Sequence, residues 1–270
     1  MDISTIRLAY FSPTGTTQRV LESIASGIAG ARVEHINLTL PDSSGQTHTC
    51  GADELLLLGA PVYGGRLPVD AIKRFRRIRG ENTLAVVVVV YGNREFEDAL
   101  LELKDLAVEL GFLPVAGAAF IGEHSFASAE APIATGRPDR LDVEKAKAFG
   151  AGIEEKIRVL QSVKSMAELV VPGRFPYEGG PRSMSVAPLT KEHICTLCGT
   201  CASVCPTAAI AVDDRVATHV DACIRCCACI KSCPTGARGW VDEMMATITN
   251  WLKENCSVRK EPEIFGVEQV

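Results

Sequence analysis

The sequence has no surplus of basic residues: 28 Lys and Arg stand against 33 Asp and Glu, a formal charge of −5. A nucleic-acid backbone needs a basic stripe or patch, so DNA and RNA are not expected partners. Long apolar runs are lacking as well. The longest, Leu84 to Tyr91, has eight residues where a membrane helix needs about 20, so no membrane span is expected. The opening MDISTIRLAYF lacks a basic region followed by an apolar stretch, so no leader is expected and the expected compartment is the cytoplasm. With 47% hydrophobic residues, 23% charged and 14 prolines, the composition is neither disordered nor collagen-like. The 270 residues allow one large domain or two unequal ones.

Cysteine is what the sequence has in excess. Nine of the eleven cysteines fall between Cys195 and Cys233, which marks a C-terminal part of different chemistry. In a reducing compartment such a cluster reads as metal or redox chemistry rather than as disulfides.

Up to about residue 160, apolar runs alternate with amphipathic stretches. Ile6 to Phe11, Ala31 to Leu38, Glu54 to Ala60, Leu84 to Tyr91 and Leu113 to Ile121 read as five strands. The five consecutive valines of the fourth suit a strand covered on both faces, which points to a parallel sheet. Thr16 to Ile28, Val69 to Ile78, Glu95 to Leu110 and Leu141 to Leu160 read as helices, with Gly80 and Gly111 as stop signals. One helix is missing between the second and third strands, where Pro41 to Asp53 is loop-like, and a short or irregular connection is expected there. A stretch with Pro172, Gly173, Pro176, Gly179, Gly180, Pro181 and Pro188 reads as a linker crossing the first domain's surface. Met244, Ile248, Trp251 and Leu252 place a helix within Trp240 to Lys253, packing the small domain onto the large one, before an extended polar tail. The expected division is residues 1–165, a linker 166–190, a cysteine domain 191–239, and a helix with tail 240–270.

Cys195, Cys198, Cys201 and Cys205-Pro206 have the form C-x2-C-x2-C-x3-C-P, and Cys223, Cys226, Cys229 and Cys233-Pro234 repeat it 28 residues later. Three thiolates of one tight loop reach three irons of a 4Fe-4S cluster, while the fourth cysteine serves the other cluster. The expected ligand sets are therefore Cys195, Cys198, Cys201 and Cys233 for one cluster, and Cys223, Cys226, Cys229 and Cys205 for the second. The alternative is a pair of zinc sites, which normally use two C-x2-C pairs separated by a loop. From Ile194 to Trp240 the chain resembles the two-cluster bacterial ferredoxins, and with no ligand position missing the resemblance implies two 4Fe-4S clusters rather than a three-iron one. Cys227, inside the second motif but out of register, reads as a packing or supporting cysteine. Cys50 and Cys256 read as small apolar side chains, and His193 and His219 as solvated or capping residues.

Directly after the first strand, Ser12-Pro13-Thr14-Gly15-Thr16-Thr17 leads into a helix. A hydroxyl-rich turn at a helix N-terminus is an anion site, although an ordinary helix cap has the same composition. No lysine or arginine lies between Ser12 and Gln18, and neither G-x-x-x-x-G-K-[ST] nor G-x-G-x-x-G occurs there. Such a loop suits the phosphate monoester of FMN. With the loops Gly59 to Pro68 and Tyr91 to Arg94 ending the third and fourth strands, residues 4–160 resemble the flavodoxin family. The resemblance implies an α/β, doubly wound, five-stranded parallel sheet of order 2-1-3-4-5, followed by a smaller α+β ferredoxin-like domain. Carried over by position, Ser12, Thr14, Gly15, Thr16 and Thr17 would bind the FMN phosphate. Pro61, Tyr63, Gly64 and Gly65 would border the isoalloxazine, and Tyr91, Gly92 and Asn93 would face its pyrimidine side. His124 sits at the same sheet edge, where a surface histidine is the plainer reading. Lys73 to Arg79, with five cations in seven positions, reads as a solvated helix face, with a docking patch as the alternative.

The whole chain resembles flavodoxin and ferredoxin fusion proteins, known mainly from anaerobic bacteria and archaea. That resemblance implies an electron-transfer protein that passes electrons between FMN and two clusters and on to redox partner proteins. The alternative is an FMN-dependent reductase of a quinone or nicotinamide fed by the clusters. No nicotinamide-binding domain and no acid/base pair stand out, which leaves no catalytic residue to name. The loaded chain would carry a charge of about −11, which favours partners with basic docking surfaces. The oligomeric state is open, with a homodimer among the options.

Overall fold

The valine run sits at the centre of the molecule. In the computed structural model, which describes residues 3–41, 45–160, 166–180 and 184–267, the N-terminal part runs β1 (Thr5–Tyr10), α1 (Thr16–Ala25), β2 (Arg32–Asn37), β3 (His48–Cys50), β4 (Glu54–Pro61), α2 (Val69–Phe75), β5 (Ile78–Gly80), β6 (Thr83–Tyr91), α3 (Ala99–Glu109), β7 (Phe112–Ile121) and α4 (Arg140–Val159). With a further strand from the tail, β12 (Glu263–Phe265), the main sheet has the order β12-β7-β6-β4-β1-β2. Its five parallel members, counted along the chain, follow 2-1-3-4-5, the doubly wound order, with its switch point at β1 and β4.

Alternate residues of β6 serve two cores. Val86 and Val88 face Val20, Leu21 and Ile24 of α1 and Phe149 and Ile153 of α4. Val87 and Val89 face Phe75 of α2 and Leu100 and Leu103 of α3. Burying each valine is worth about 1.5–3 kcal/mol over leaving it exposed. Helices α1 and α4 approach so closely that a Cβ on Gly150 would lie 2.0 Å from the Ile24 carbonyl oxygen.

Two expectations need correction. The sheet has six strands rather than five, because part of the tail forms β12 (Glu263–Phe265), antiparallel to β7. An edge strand leaves a row of N–H and C=O groups unpaired, and β12 covers those of β7. Within Pro41 to Asp53, β3 pairs in parallel with β5 as a separate two-stranded sheet, so that connection is not wholly irregular.

The stretch read as a linker lies against the first domain. Leu169 and Val171 are buried in the sheet's core, the Asp98 carboxylate accepts the Arg174 and Glu178 N–H groups at 2.8 and 2.7 Å, and Gly180 N–H bonds the Gly64 carbonyl at 2.9 Å. Pro181 and the boundary residue 165 lie outside the described residues.

The small domain contains β8 (Leu189–Thr190), α5 (Thr200–Ser203), β9 (Ile210–Val212), β10 (Val216–Thr218), α6 (Ala228–Lys231) and β11 (Arg238–Gly239). The 28-residue repeat recurs in its backbone. Leu197 and Arg225 have φ 55° and 57°, Gly199 and Cys227 φ 76° and 61°, and one of the second pair caps each short helix. Next comes α7 (Glu243–Asn255), whose N-cap Asp242 accepts the Met244 and Met245 N–H groups. Its Ile248 and Leu252, with Cys256, pack on Phe126, Ala127 and Ile133 of the loop after β7. Two further ties join the parts. Arg74 donates to the carbonyls of Leu38, Thr39 and Pro206, so the basic segment Lys73 to Arg79 is not simply a solvated face. Lys231 donates to Glu123 and to the Ala127 carbonyl, and the Glu123 carboxyl, although burial opposes it, is held below its ordinary value by Gly136 N–H and Lys231.

Candidate functional site

The two sets of cysteines gather as separate rings. Cys195, Cys198, Cys201 and Cys233 line one small cavity, and Cys205, Cys223, Cys226 and Cys229 line a second. Each ring draws three thiols from one repeat and the fourth from the other, because the short helices α5 and α6 carry Cys205 and Cys233 across. Among the described residues, no three His, Cys, Asp or Glu side chains close on a point as a single zinc ion requires. Ala209 N–H donates to Cys205 Sγ at 3.2 Å, while the Thr200 hydroxyl and N–H draw the exposed Cys198 thiol below its ordinary value. Burial pushes the Cys226 thiol up to about 12, a penalty that coordination to iron reverses. Cys227 is 1% exposed and lies against the second ring.

At the carboxyl ends of the sheet strands, Gly15 (φ 79°) caps α1 with no side-chain cap bond and no acidic residue in the first turn. The helix dipole and free N–H groups therefore act on whatever occupies this corner. Thr14 and Thr16 hydroxyls lie 3.3 Å apart. Thr17 is 0% exposed, and its Oγ1 is buried without a hydrogen-bond partner. An orphaned buried hydroxyl is costly, so this atom is itself a reason to expect an anion here. Ser12 is engaged differently: its N–H bonds Thr39 Oγ1 at 2.9 Å and its Oγ accepts Gln18 N–H at 3.1 Å, so it shapes the loop.

Beside this corner opens a cavity of about 700 Å³. Thr14, Thr16, Pro61, Tyr63, Gly64, Tyr91 and Gly92 all reach it. Ser12, Gly15, Thr17, Gly65 and Asn93 do not line it. Asn93 points away, its amide donating to the carbonyls of Cys256 and Val258 at 2.7 and 2.8 Å and accepting Lys260 N–H at 3.2 Å. Tyr91 lines the cavity but is nearly buried, its ring 5.5 Å from that of Phe96. Burial raises the Tyr63 phenol well above its ordinary value, with Cys226 and Cys227 adding to the effect.

His124 lines the cavity and is no ordinary surface residue. Desolvation, helped by Arg94 and Lys231, lowers it to about 4. Its Nδ1 accepts Phe126 N–H at 3.0 Å, which leaves the neutral ring's proton on Nε2. Part of the remaining wall comes from residues that local sequence patterns do not link to β-strand ends: Ile248, Trp251 and Leu252 of α7, Ile224 and Arg225 of the second cysteine loop, and Gly179, Gly180 and Met184 of the segment read as a linker.

The sequence profile of the 4Fe-4S dicluster domain matches residues 187–256, a span that includes both cysteine rings and α7. No curated protein matches the chain's sequence. Among solved structures, a flavodoxin from the domain Archaea is similar at 14% identity and a TM-score of 0.38, over 57% of this chain and 99% of that one. Fusobacterium nucleatum flavodoxin bound to flavin mononucleotide is similar at 17% identity and a TM-score of 0.40, over 57% and 99%. The rubredoxin oxygen:oxidoreductase of Desulfovibrio gigas is similar at 12% and 0.40, over 58% of this chain but only 37% of that longer one.

Proposed function

With a 4Fe-4S dicluster domain in residues 187–256 as its premise, we propose that the chain is an electron-transfer flavo-iron–sulfur protein, holding FMN in the cavity at the sheet's carboxyl edge. The observation that carries this reading is the shared wall: the loops Pro61–Gly64 and Tyr91–Gly92 face the same cavity as Ile224 and Arg225, which lie between the ligands Cys223 and Cys226. FMN exchanges two electrons where each cluster exchanges one, and the cofactors carry the chemistry. The chain's contribution is position. The first turn of α1, with the Thr14, Thr16 and Thr17 hydroxyls, holds the phosphate; Pro61, Tyr63, Gly64 and Gly92 border the ring; Phe126, Trp251 and Leu252 keep water from it.

The second ring's cavity shares Ile224 with this large cavity, and the first ring's shares no lining residue with it. We therefore order the path as partner, first cluster, second cluster, flavin, or its reverse. The net acidic charge favours redox partners with basic surfaces. Anaerobic purification with a visible spectrum, iron and sulfide counting and flavin extraction tests the reading, with about eight irons and one FMN per chain expected. Zinc, or no flavin, would sink it. Steady-state turnover with NAD(P)H or a quinone would replace the carrier with a reductase.

A further inference from the structure

Arg238 is 4% exposed, and it lines both cysteine-ringed cavities. Its Nη1 donates to Thr190 Oγ1 at 2.8 Å, its Nη2 to Thr218 Oγ1 at 2.9 Å and to Cys229 Sγ at 3.8 Å. Its Nε is buried with no hydrogen-bond partner. Among the described residues no carboxylate pairs with it, whereas the other deeply buried arginine, Arg137, lies against Asp142. A buried cation without a counter-charge costs several kcal/mol. The repeat offers a contrast: the position 28 residues earlier is Ile210, a residue of the small domain's apolar core. One repeat therefore packs a hydrocarbon where the other buries a charge.

We propose that Arg238 is the internal counter-charge shared by the two clusters, a positioning residue that raises their reduction potentials, most strongly for the cluster held by Cys229. Each oxidised cluster with its four thiolates carries about −2. Taking one electron makes it about −3, with no bond formed or broken and no proton required. The guanidinium is attracted to both states and more to the reduced one, and the unpaired Nε–H is available to a cluster sulfur or a cysteine Sγ. Hydrogen bonds and charge near the sulfurs are the protein's means of setting such potentials. Thr190 and Thr218 hold the guanidinium in place without neutralising it.

The test is a spectroscopic redox titration of the iron-loaded protein and of R238Q and R238K. In R238Q the reduced-to-oxidised ratio of the Cys229 cluster at a fixed applied potential should fall about tenfold, equivalent to about 59 mV for a one-electron couple; the other cluster should shift less, and R238K should retain most of the wild-type ratio. Unchanged potentials in R238Q, or R238K as low as R238Q, would overturn the assignment. If R238Q does not load iron and R238K does, the charge is required for assembly and the assignment stands. If neither loads, T218V carries the test: a lowered potential at the Cys229 cluster supports it, and an unshifted one overturns it.

Discussion

Leu197 and Arg225 occupy the same place in the two repeats, 28 residues apart with φ 55° and 57°, yet they face different surroundings. Leu197 is 42% exposed, beside the exposed Cys198, whereas Arg225 reaches the large cavity and donates to the Met184 carbonyl at 3.1 Å. The duplicated loop thus presents one copy to solvent and the other to the proposed flavin site.

The exposed copy is the expected docking port. L197K should slow flavin reoxidation by a basic c-type cytochrome about tenfold, since a charge placed at a docking rim acts on the association rate. V108K, on an exposed position of α3, should leave it unchanged. Stopped-flow absorbance of the reduced, loaded protein checks this, and equal rates for both variants would mean that electrons leave elsewhere.

Thr17 separates ligand binding from folding. T17V removes the orphaned hydroxyl and keeps the shape, so the FMN dissociation constant should rise about tenfold, or ~1.4 kcal/mol. The thermal midpoint of the flavin-free protein should not fall, because a buried unpaired polar atom is lost. Fluorescence titration and calorimetry read the two effects; a fall in the flavin-free midpoint would show that Oγ1 has a partner within the protein.

His124 makes stability depend on pH. Its native value of about 4 lies below the ordinary 6.5, so between these values the unfolded chain binds more protons than the native one. Its contribution is complete above pH 6.5 and is lost as the pH falls towards 4, by up to roughly 3 kcal/mol. The difference in unfolding free energy between wild type and H124Q should therefore shift against the wild type over that window. Urea titrations at several pH values measure it, and a pH-independent difference would contradict the assignment.

The crossing of α1 and α4 should tolerate no side chain at Gly150. A Cβ there meets the Ile24 carbonyl oxygen, and forcing the helices apart costs about 1–3 kcal/mol. G150A should lower the unfolding free energy measured by urea titration by that amount, even though alanine favours helix by about 1 kcal/mol over glycine.

Periodicity and spacing along the sequence were enough to locate the five parallel strands, the hydroxyl-rich turn after the first of them and the two sets of four cysteines, while the strand order came from the resemblance to the flavodoxin family. These features depend on neighbours in the chain: alternation along a strand, the approach to one helix terminus, the reach of a tight loop. The sixth strand, Asn93 turned to the tail, the lowered His124, the wall from α7 and the buried Arg238 could not be read that way. Each depends on what distant segments bring alongside it. A tail strand forms because β7 has an open edge, Asn93 turns where carbonyls of residues 256 and 258 arrive, and Arg238 becomes conspicuous only once both cysteine rings close around it. Local pattern specified the parts, and only tertiary packing decided which charges were buried and which loops face each other.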